Sequence, residues 1–391
     1  MRRRILYLQY ANPALYPPVV QSSRILADRG WEALFLGVRM PGTADVGMPP
    51  HPRISMRLMP GPEGRRGAAA YLRFAMWSAA WAVRWRPRWI YVSDPPAAPV
   101  GLLMGAVPGV RLVYHEHDAP ADEGPHPARW TTRVVLAGRR RLARRASIRV
   151  LPNARRVERF TRECGEGDRR CTPTACVWNC PRRDEAISTA PGPRGEPLVL
   201  HYHGSLNRFR LPLALLDGMA LMPGRVKLQV VGYETIGHPG FAGQLTERAR
   251  TLNIGAHVTV LPPVPRHELL AIAAGADVGI SVVSGTARDP NLLNLTGASN
   301  KAFDYLACGL ALIVSDTPEW RQLYVDPGYA LACAPDRPEQ IAAALRWFDT
   351  HREETRAMGQ RGRRRIIDEW NYETQFEPVA RVLESGRARA G

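Results

Sequence analysis

No hydrophobic run in this 391-residue sequence is long enough to cross a bilayer. The longest, AAPVGLLMGAVPGV, has fourteen residues and two prolines, against about 20 apolar residues for a spanning helix. The apolar run behind the basic start, MRRRILYLQY, is too short for a signal peptide and reads as a first strand. The chain lacks low-complexity tracts and internal repeats, which excludes linker-like and solenoid classes. A soluble, cytoplasmic protein is expected, and 391 residues is comfortable for two domains. Cysteine is sparse: Cys164, Cys171, Cys176 and Cys180 have no Cys-x2-Cys knuckle and no histidine among them. They read as reduced thiols, and no metal site is expected.

Negative charge is short as well. The formal net charge is +17, supplied mostly by arginine with only a few lysines. Such an excess implies an anionic partner: nucleic acid, an anionic membrane surface, or a phosphorylated substrate. No recognised nucleic-acid motif accompanies it, so nucleic acid ranks last.

What is present is organised around NLTGASNKAFDYLACGLALIVSDTPEW, from Asn294 to Trp320. It reads as a loop, a helix of about ten residues, a glycine turn and a buried strand. Ser299 can cap the helix and Gly309 can end it. Phe303, Leu306, Ala307 and Leu310 form an apolar face; Lys301, Asp304, Tyr305 and Cys308 fall on the other side. Backbone N–H groups at a helix start and a lysine in the first turn suit a diphosphate. A carboxylate one turn further, Asp304, could accept from two ribose hydroxyls. An ordinary amphipathic helix with a solvated Lys and Asp fits the same pattern.

SNKAFDYLACGLALIVSDTPEW resembles the donor-binding signature of glycosyltransferase family 4. Asn300, Lys301, Phe303, Tyr305, Ala307 and Gly309 match a common form of it. Asp304 stands for the second Glu of the family's Glu-x7-Glu motif, and the first falls at Thr296. The resemblance implies an α/β protein of the GT-B class, with two Rossmann-like parallel-sheet domains facing each other across a cleft. It also implies a retaining glycosyltransferase that moves a sugar from a nucleotide-diphosphate donor to a hydroxyl of a glycan, glycolipid or small-molecule glycoside. The sugar nucleotide is a co-substrate, and no cofactor is required. No Asp-x-Asp occurs in the chain, so metal-independent transfer is expected.

Residues 1–180 alternate strand and helix and form the expected acceptor-binding domain. The loop ANPALYPP follows the first strand and holds no glycine, where many GT-B chains have a glycine-rich loop. The helix after it is read from QSSRILADRGW. In AAAYLRFAMWSAAWAVRWRPRW, Phe74, Trp77, Trp81 and Trp85 share a helical stripe beside Arg73 and Arg84. Two readings stand open: a core-facing stripe, or an interfacial helix placing Trp77, Trp81 and Trp85 in an anionic headgroup layer. GRRRLARRASIR, 138–149, reads as a solvated basic face. RLVYHEHD turns polar at its end, where open α/β sheets bind ligand. By resemblance, His117 contacts the acceptor or the transferred sugar, with Asp118 beside it. His115 shares the strand face with His117, and either histidine could simply bond a loop.

PRRDEAISTAPGPRGEP, 181–197, reads as a linker, and 198–369 as the donor-binding domain. LVLHYHGSLNRF opens it with a strand, a glycine turn and a basic helix start, a phosphate cradle. Gly204, Ser205 and Arg208 are the diphosphate candidates, with Arg210 as substitute, and Gly232 and Glu234 end the next strand nearby. In the family the loop around Pro262–Val264 contacts the base. Glu234 and His267 also read as plain surface residues. The segment 370–391 is expected to return to the first domain. Two other functions share these residues: a nucleotide-sugar 2-epimerase, or a catalytically degenerate GT-B partner, given Thr296 and the glycine-free first loop.

Overall fold

The computed structural model describes residues 3–39, 47–61, 67–120, 130–164, 172–188, 196–234 and 237–386. The chain forms two compact units, Met1–Asn179 with Tyr372–Gly391, and Cys180–Asn371. Of the cysteines, Cys171 lies outside the described residues; Cys164, Cys176, Cys180, Cys308 and Cys333 are free thiols.

The first unit is built on seven parallel strands: β1 (Arg4–Gln9), β2 (Glu32–Arg39), β3 (Ile54–Pro60), β4 (Trp89–Ser93), β5 (Arg111–His115), β6 (Ile148–Leu151) and β7 (Thr174–Cys176). Their order is β3-β2-β1-β4-β5-β6-β7. The side-chain period of two sends Tyr7, Phe35, Tyr91 and Val113 to one face and Leu8, Leu36, Val92 and Tyr114 to the other. Helices Pro17–Asp28 and Tyr372–Ser385 cover the first face, through Val19, Leu26, Tyr372 and Phe376. Helices Gly67–Trp85, Ala98–Met104, Trp130–Arg145 and Ala154–Cys164 cover the second. Burial on both faces explains why the strands read as near-continuous apolar runs.

Two expectations for this unit change, and of the two readings of the tryptophan stripe the core-facing one holds. The helix after the first loop starts at Pro17, four residues ahead of the sequence reading, because prolines suit the first helical turn. Trp77, Trp81 and Trp85 pack half-buried against the core; Leu72, Met76 and Val83 are the large apolar side chains that the same helix leaves exposed. The basic run at 138–149 is not uniformly solvated. Arg139 turns inward and forks onto buried Glu116 at 2.6 and 2.7 Å, while Arg140 and Arg141 stay exposed.

The second unit has six parallel strands: β8 (Leu198–Leu206), β9 (Val226–Glu234), β10 (Val258–Leu261), β11 (Val278–Ser281), β12 (Ala311–Ser315) and β13 (Ala330–Cys333). The order β10-β9-β8-β11-β12-β13 reverses between β8 and β11. At such a switch point the loops from neighbouring strands leave in opposite directions and open a crevice for ligand. In the first unit the reversal falls between β1 and β4.

The helix Asn300–Ala307 joins β11 to β12. Gly309, at φ +74°, ends it as expected: Leu310 N–H reaches Tyr305 C=O at 3.0 Å and Gly309 N–H reaches Leu306 C=O at 2.9 Å. Ser299 stands at the N-cap without a side-chain capping bond. The helix has no solvent face, since Lys301 through Ala307 are all buried. The stretch read as a linker is partly helical: Arg183–Ser188 belongs to the second unit, held by Glu185, and 189–195 lie outside the described residues. The return to the first unit begins at Tyr372, because Trp370 packs edge-on against Phe303 within the second.

Candidate active site

In the second unit the polar residues gather where β8 ends. Gly204 has φ +110°, and a Cβ there would lie 3.0–3.1 Å from Cε and Nζ of Lys301. Gly232, beside it on β9, has no room for a side chain: a Cβ would meet the Gly204 carbonyl oxygen at 2.2 Å. Two glycines thus let the backbone and a lysine share one small space.

Lys301 is only 8 % exposed, and its ammonium lies 5.3 Å from the centre of the Tyr202 ring. Burial, and then the charge of Arg210, lower its pKa well below the ordinary lysine value, with Asp304 opposing. No carboxylate among the described residues forms an ion pair with it within 4.0 Å. It is a buried amine at a helix N-terminus, where an arriving anion favours its charged form. Of the two arginine candidates, Arg210 is the one whose charge bears on Lys301. Arg208 is exposed and lies over the Phe209 ring at 5.0 Å. Asn207 shapes this turn by accepting from Phe209 N–H and Arg210 N–H, both at 3.1 Å. Ser205 and Asn300 are half-buried, Ser205 accepting through its carbonyl from Tyr202 Oη at 2.6 Å.

Asp304 is differently employed from its sequence reading. Its carboxylate is 1 % exposed and accepts a fork from Arg266 at 2.9 and 3.2 Å. His203 Nε2 stands 3.4 Å from its second oxygen. Burial pushes the acid up, but Arg266 and His203 hold it down at about 2. Both oxygens are engaged within the protein, so Asp304 anchors Arg266 and orients His203. Arg266 in turn forks onto Glu185 at 2.5 and 3.0 Å. A line continues inward, with His201 Nε2 3.3 Å from His203 Nδ1 and Gln229 Oε1 3.1 Å from His201 Nδ1. Burial lowers the pKa of both imidazoles, that of His201 to about 3, so both are neutral at pH 7. Sequence reading missed Arg266, Glu185 and His203. Only His203 left a signal, the His-Tyr-His alternation at the end of a strand.

Glu234 caps the helix Phe241–Thr251, accepting from Gly240 N–H at 2.7 Å and Ala242 N–H at 2.8 Å. His267 is exposed beside Glu268. Both therefore fit their plain surface readings.

In the first unit the polar groups gather past the end of β5. His117 is 6 % exposed, 3.8 Å from the His115 ring and 5.6 Å from that of Tyr16, the residue that the glycine-free loop delivers. Neither ring nitrogen of His117 has a hydrogen-bond partner among the described residues. Burial and nearby Arg156 push its pKa to about 3, leaving a neutral ring with one donor and one acceptor to offer. His115 is also kept neutral by burial and by His117; its Nδ1 meets Tyr91 Oη at 2.7 Å. Asp118 is exposed and 3.5 Å from Arg156, which also donates to the His117 carbonyl oxygen. Among the described residues no group of three or more His, Cys, Asp or Glu is placed to hold a metal.

Comparison with known proteins agrees with these halves. A family model described as glycosyl transferase 4-like domain matches residues 19–175, and one described as glycosyl transferase-like matches 214–381. No curated protein matches the sequence significantly. Similar solved structures include the sucrose-phosphate synthase of Thermosynechococcus elongatus, with 16 % identity, TM-score 0.70, and 98 % of this chain and 99 % of that one covered. Anabaena HepE in complex with UDP and glucose is 17 % identical, TM-score 0.70, covering 98 % and 100 %. The α,α-trehalose-phosphate synthase (UDP-forming) of Burkholderia vietnamiensis is 15 % identical, TM-score 0.65, covering 100 % and 98 %. Two parallel-sheet Rossmann-like units of seven and six strands, matched along their whole length, define the GT-B fold. With both family models, the chain is a family 4-like glycosyltransferase.

Proposed function

We propose that the protein transfers a sugar from a nucleotide-diphosphate donor to an acceptor hydroxyl with retention at the anomeric carbon. The observation that carries this reading is Lys301, a buried ammonium without an ion-pair partner among the described residues, set beside a left-handed glycine and a helix N-terminus. Lys301, Arg210 and the N–H groups of Asn300–Ala307 stabilise the charge that builds on the departing diphosphate. Arg208 joins them only by leaving Phe209. Cationic side chains supply this stabilisation without a metal clamp, in keeping with the absence of Asp-x-Asp. Asp304 acts here through Arg266 and His203, and a ribose contact needs a way to a carboxylate that is only 1 % exposed.

UDP is the nucleotide to try first, since HepE is a similar fold that holds it. The acceptor is a hydroxyl of a glycan, glycolipid or small-molecule glycoside, and His117 contacts it or the transferring sugar through its unpartnered ring nitrogens. No protein nucleophile is assigned, and Asp118 serves at the rim, beside Arg156.

The protein works against an anionic membrane surface. No helix among the described residues is long and apolar enough to cross a membrane. Support comes from the outer layer of the first unit, where Leu72, Met76, Val83, Leu103 and Val134 are exposed among Arg73, Arg84, Arg133, Arg140 and Arg141. Exposed apolar side chains on a layer that also exposes arginine fit an anionic bilayer better than a neutral one. Sedimentation with phosphatidylglycerol vesicles but not phosphatidylcholine vesicles is expected, and equal binding to both contradicts it.

The transfer reading is tested by incubating the protein with UDP-, GDP-, ADP- and dTDP-sugars in EDTA and following the products by proton NMR. Nucleotide release with a retained anomer supports it. Donor epimers formed without acceptor indicate a 2-epimerase, and no consumption of any donor indicates a degenerate partner. Either sinks the proposal.

A further inference from the structure

β4 ends at Ser93, and Asp94 turns the chain at φ +66° and ψ 158°. That region belongs almost wholly to glycine, and a side chain held there costs on the order of 1–3 kcal/mol. The contacts around Asp94 show what holds it. Its N–H donates to the His115 carbonyl at 2.8 Å. Its Oδ1 accepts from His117 N–H at 2.8 Å and, at longer range, from Asp118 N–H at 3.4 Å. One strained residue thus ties down both sides of the peptide that leaves β5, across the strand pair in which Ser93 sits opposite His115.

We propose that Asp94 is a positioning residue of the acceptor half-site: its left-handed backbone and its Oδ1 together pin the segment that presents the His117 imidazole. The proposal rests on His117 serving as a contact to acceptor or sugar. His117 makes no ring hydrogen bond among the described residues, so its orientation depends on ring packing and on the peptide beneath it. Asp94 fixes that peptide.

The second oxygen completes the clamp. Oδ2 lies 3.4 Å from the side-chain amide of Gln9, whose Oε1 is buried without a partner. Turning that amide brings Oε1 to Asp94, where it accepts from a protonated carboxyl. The charged groups bearing on the acid are Asp118, Glu116 and Arg156. Burial and Asp118 raise its pKa to about 8, so the proton is present at pH 7. Asparagine reproduces this arrangement: its oxygen accepts from the two amides, its nitrogen donates to Gln9, and it is isosteric with aspartate on the same strained backbone.

The full-length protein and two variants, Asp94→Asn and Asp94→Gly, provide the test. Glycine relaxes the backbone but removes Oδ1. Hydrogen-exchange mass spectrometry of the peptide covering 111–120 reads the clamp, UDP calorimetry reads the other unit, and UDP-glucose hydrolysis reads turnover. Asp94→Gly should raise exchange at His117 and Asp118 about 100-fold. Turnover should drop about 30-fold with UDP affinity unchanged, as expected for a misplaced group. Asp94→Asn should stay within about threefold of wild type in exchange and turnover. Wild-type exchange in the glycine variant, or equal disruption by asparagine, overturns the proposal. Failure of wild type to bind UDP overturns the donor assignment on which the turnover arm depends, and the exchange comparison still decides on the clamp.

Discussion

Both units place polar residues at the C-terminal ends of a parallel sheet, and they solve the electrostatics in opposite ways. In the second unit charge is abundant and largely committed: Asp304 and Glu185 share the guanidinium of Arg266, while Lys301 makes no ion pair within 4.0 Å among the described residues. In the first unit His117 is neutral and has neither ring nitrogen hydrogen-bonded among the described residues, and burial with Asp118 raises the pKa of the buried acid Asp94 to about 8. The first arrangement suits a ligand that brings a formal charge, because an anion completes it. The second suits a ligand whose hydroxyls both donate and accept, since a neutral imidazole can meet either.

The largest expected effect comes from breaking the committed network. Arg266→Ala leaves Asp304 buried with only His203 beside it and takes the guanidinium from half-buried Glu185, and should cost about 3–5 kcal/mol in denaturant unfolding. A loss below about 1 kcal/mol would place those carboxylates in water and dissolve the contrast between the units.

Next comes pH. His117 and His201 titrate near 3 in the fold, against about 6.5 in an unfolded chain. Their depressed values contribute stability that is complete above about 6.5 and lost as pH falls toward 3. Asp94 has the opposite sign: raised to about 8, it contributes stability below about 4 that is lost as pH climbs to 8. Asp94→Asn should abolish that alkaline loss in unfolding curves taken from pH 4 to 9, while acid sensitivity persists. An unchanged pH profile would show that Asp94 is ionised at pH 7.

The smallest effect concerns the outer layer. Leu72→Glu with Met76→Glu should leave stability within about 0.5 kcal/mol, as exposed substitutions do. Vesicle sedimentation should fall all the same, and unchanged sedimentation removes this helix from the contact.

The sequence made the second unit legible because its motif is local: Asn300 to Gly309 carries the lysine, the turn and the strand that follows. Periodicity could not show that the motif's helix is covered on every side, since the layers over Asp304 and Tyr305 come from distant segments. Arg266 and Glu185 escaped for the same reason; they stand 38 and 119 residues from Asp304 in the chain. A proline- and glycine-rich stretch disguised the short helix that carries Glu185. In the first unit His117 was visible from strand alternation. The exposed face of the tryptophan helix was not, because Trp and Leu are equally apolar and only packing decides which turns inward. Asp94 gave no warning, as a positive φ followed by two prolines resembles any turn.

The most direct test of the division between the units is calorimetric titration of UDP into wild type and Lys301→Met, without added metal. Methionine keeps the length of the chain and removes a costly buried charge, so the variant should unfold no earlier than wild type. A charge-assisted contact to diphosphate is worth roughly 1.5–3 kcal/mol, and its loss should weaken binding about 10- to 100-fold. Micromolar binding by wild type with that loss in a stable variant is the expected result. Equal affinity in the two proteins would contradict the account, because the buried ammonium would then have no anion to meet.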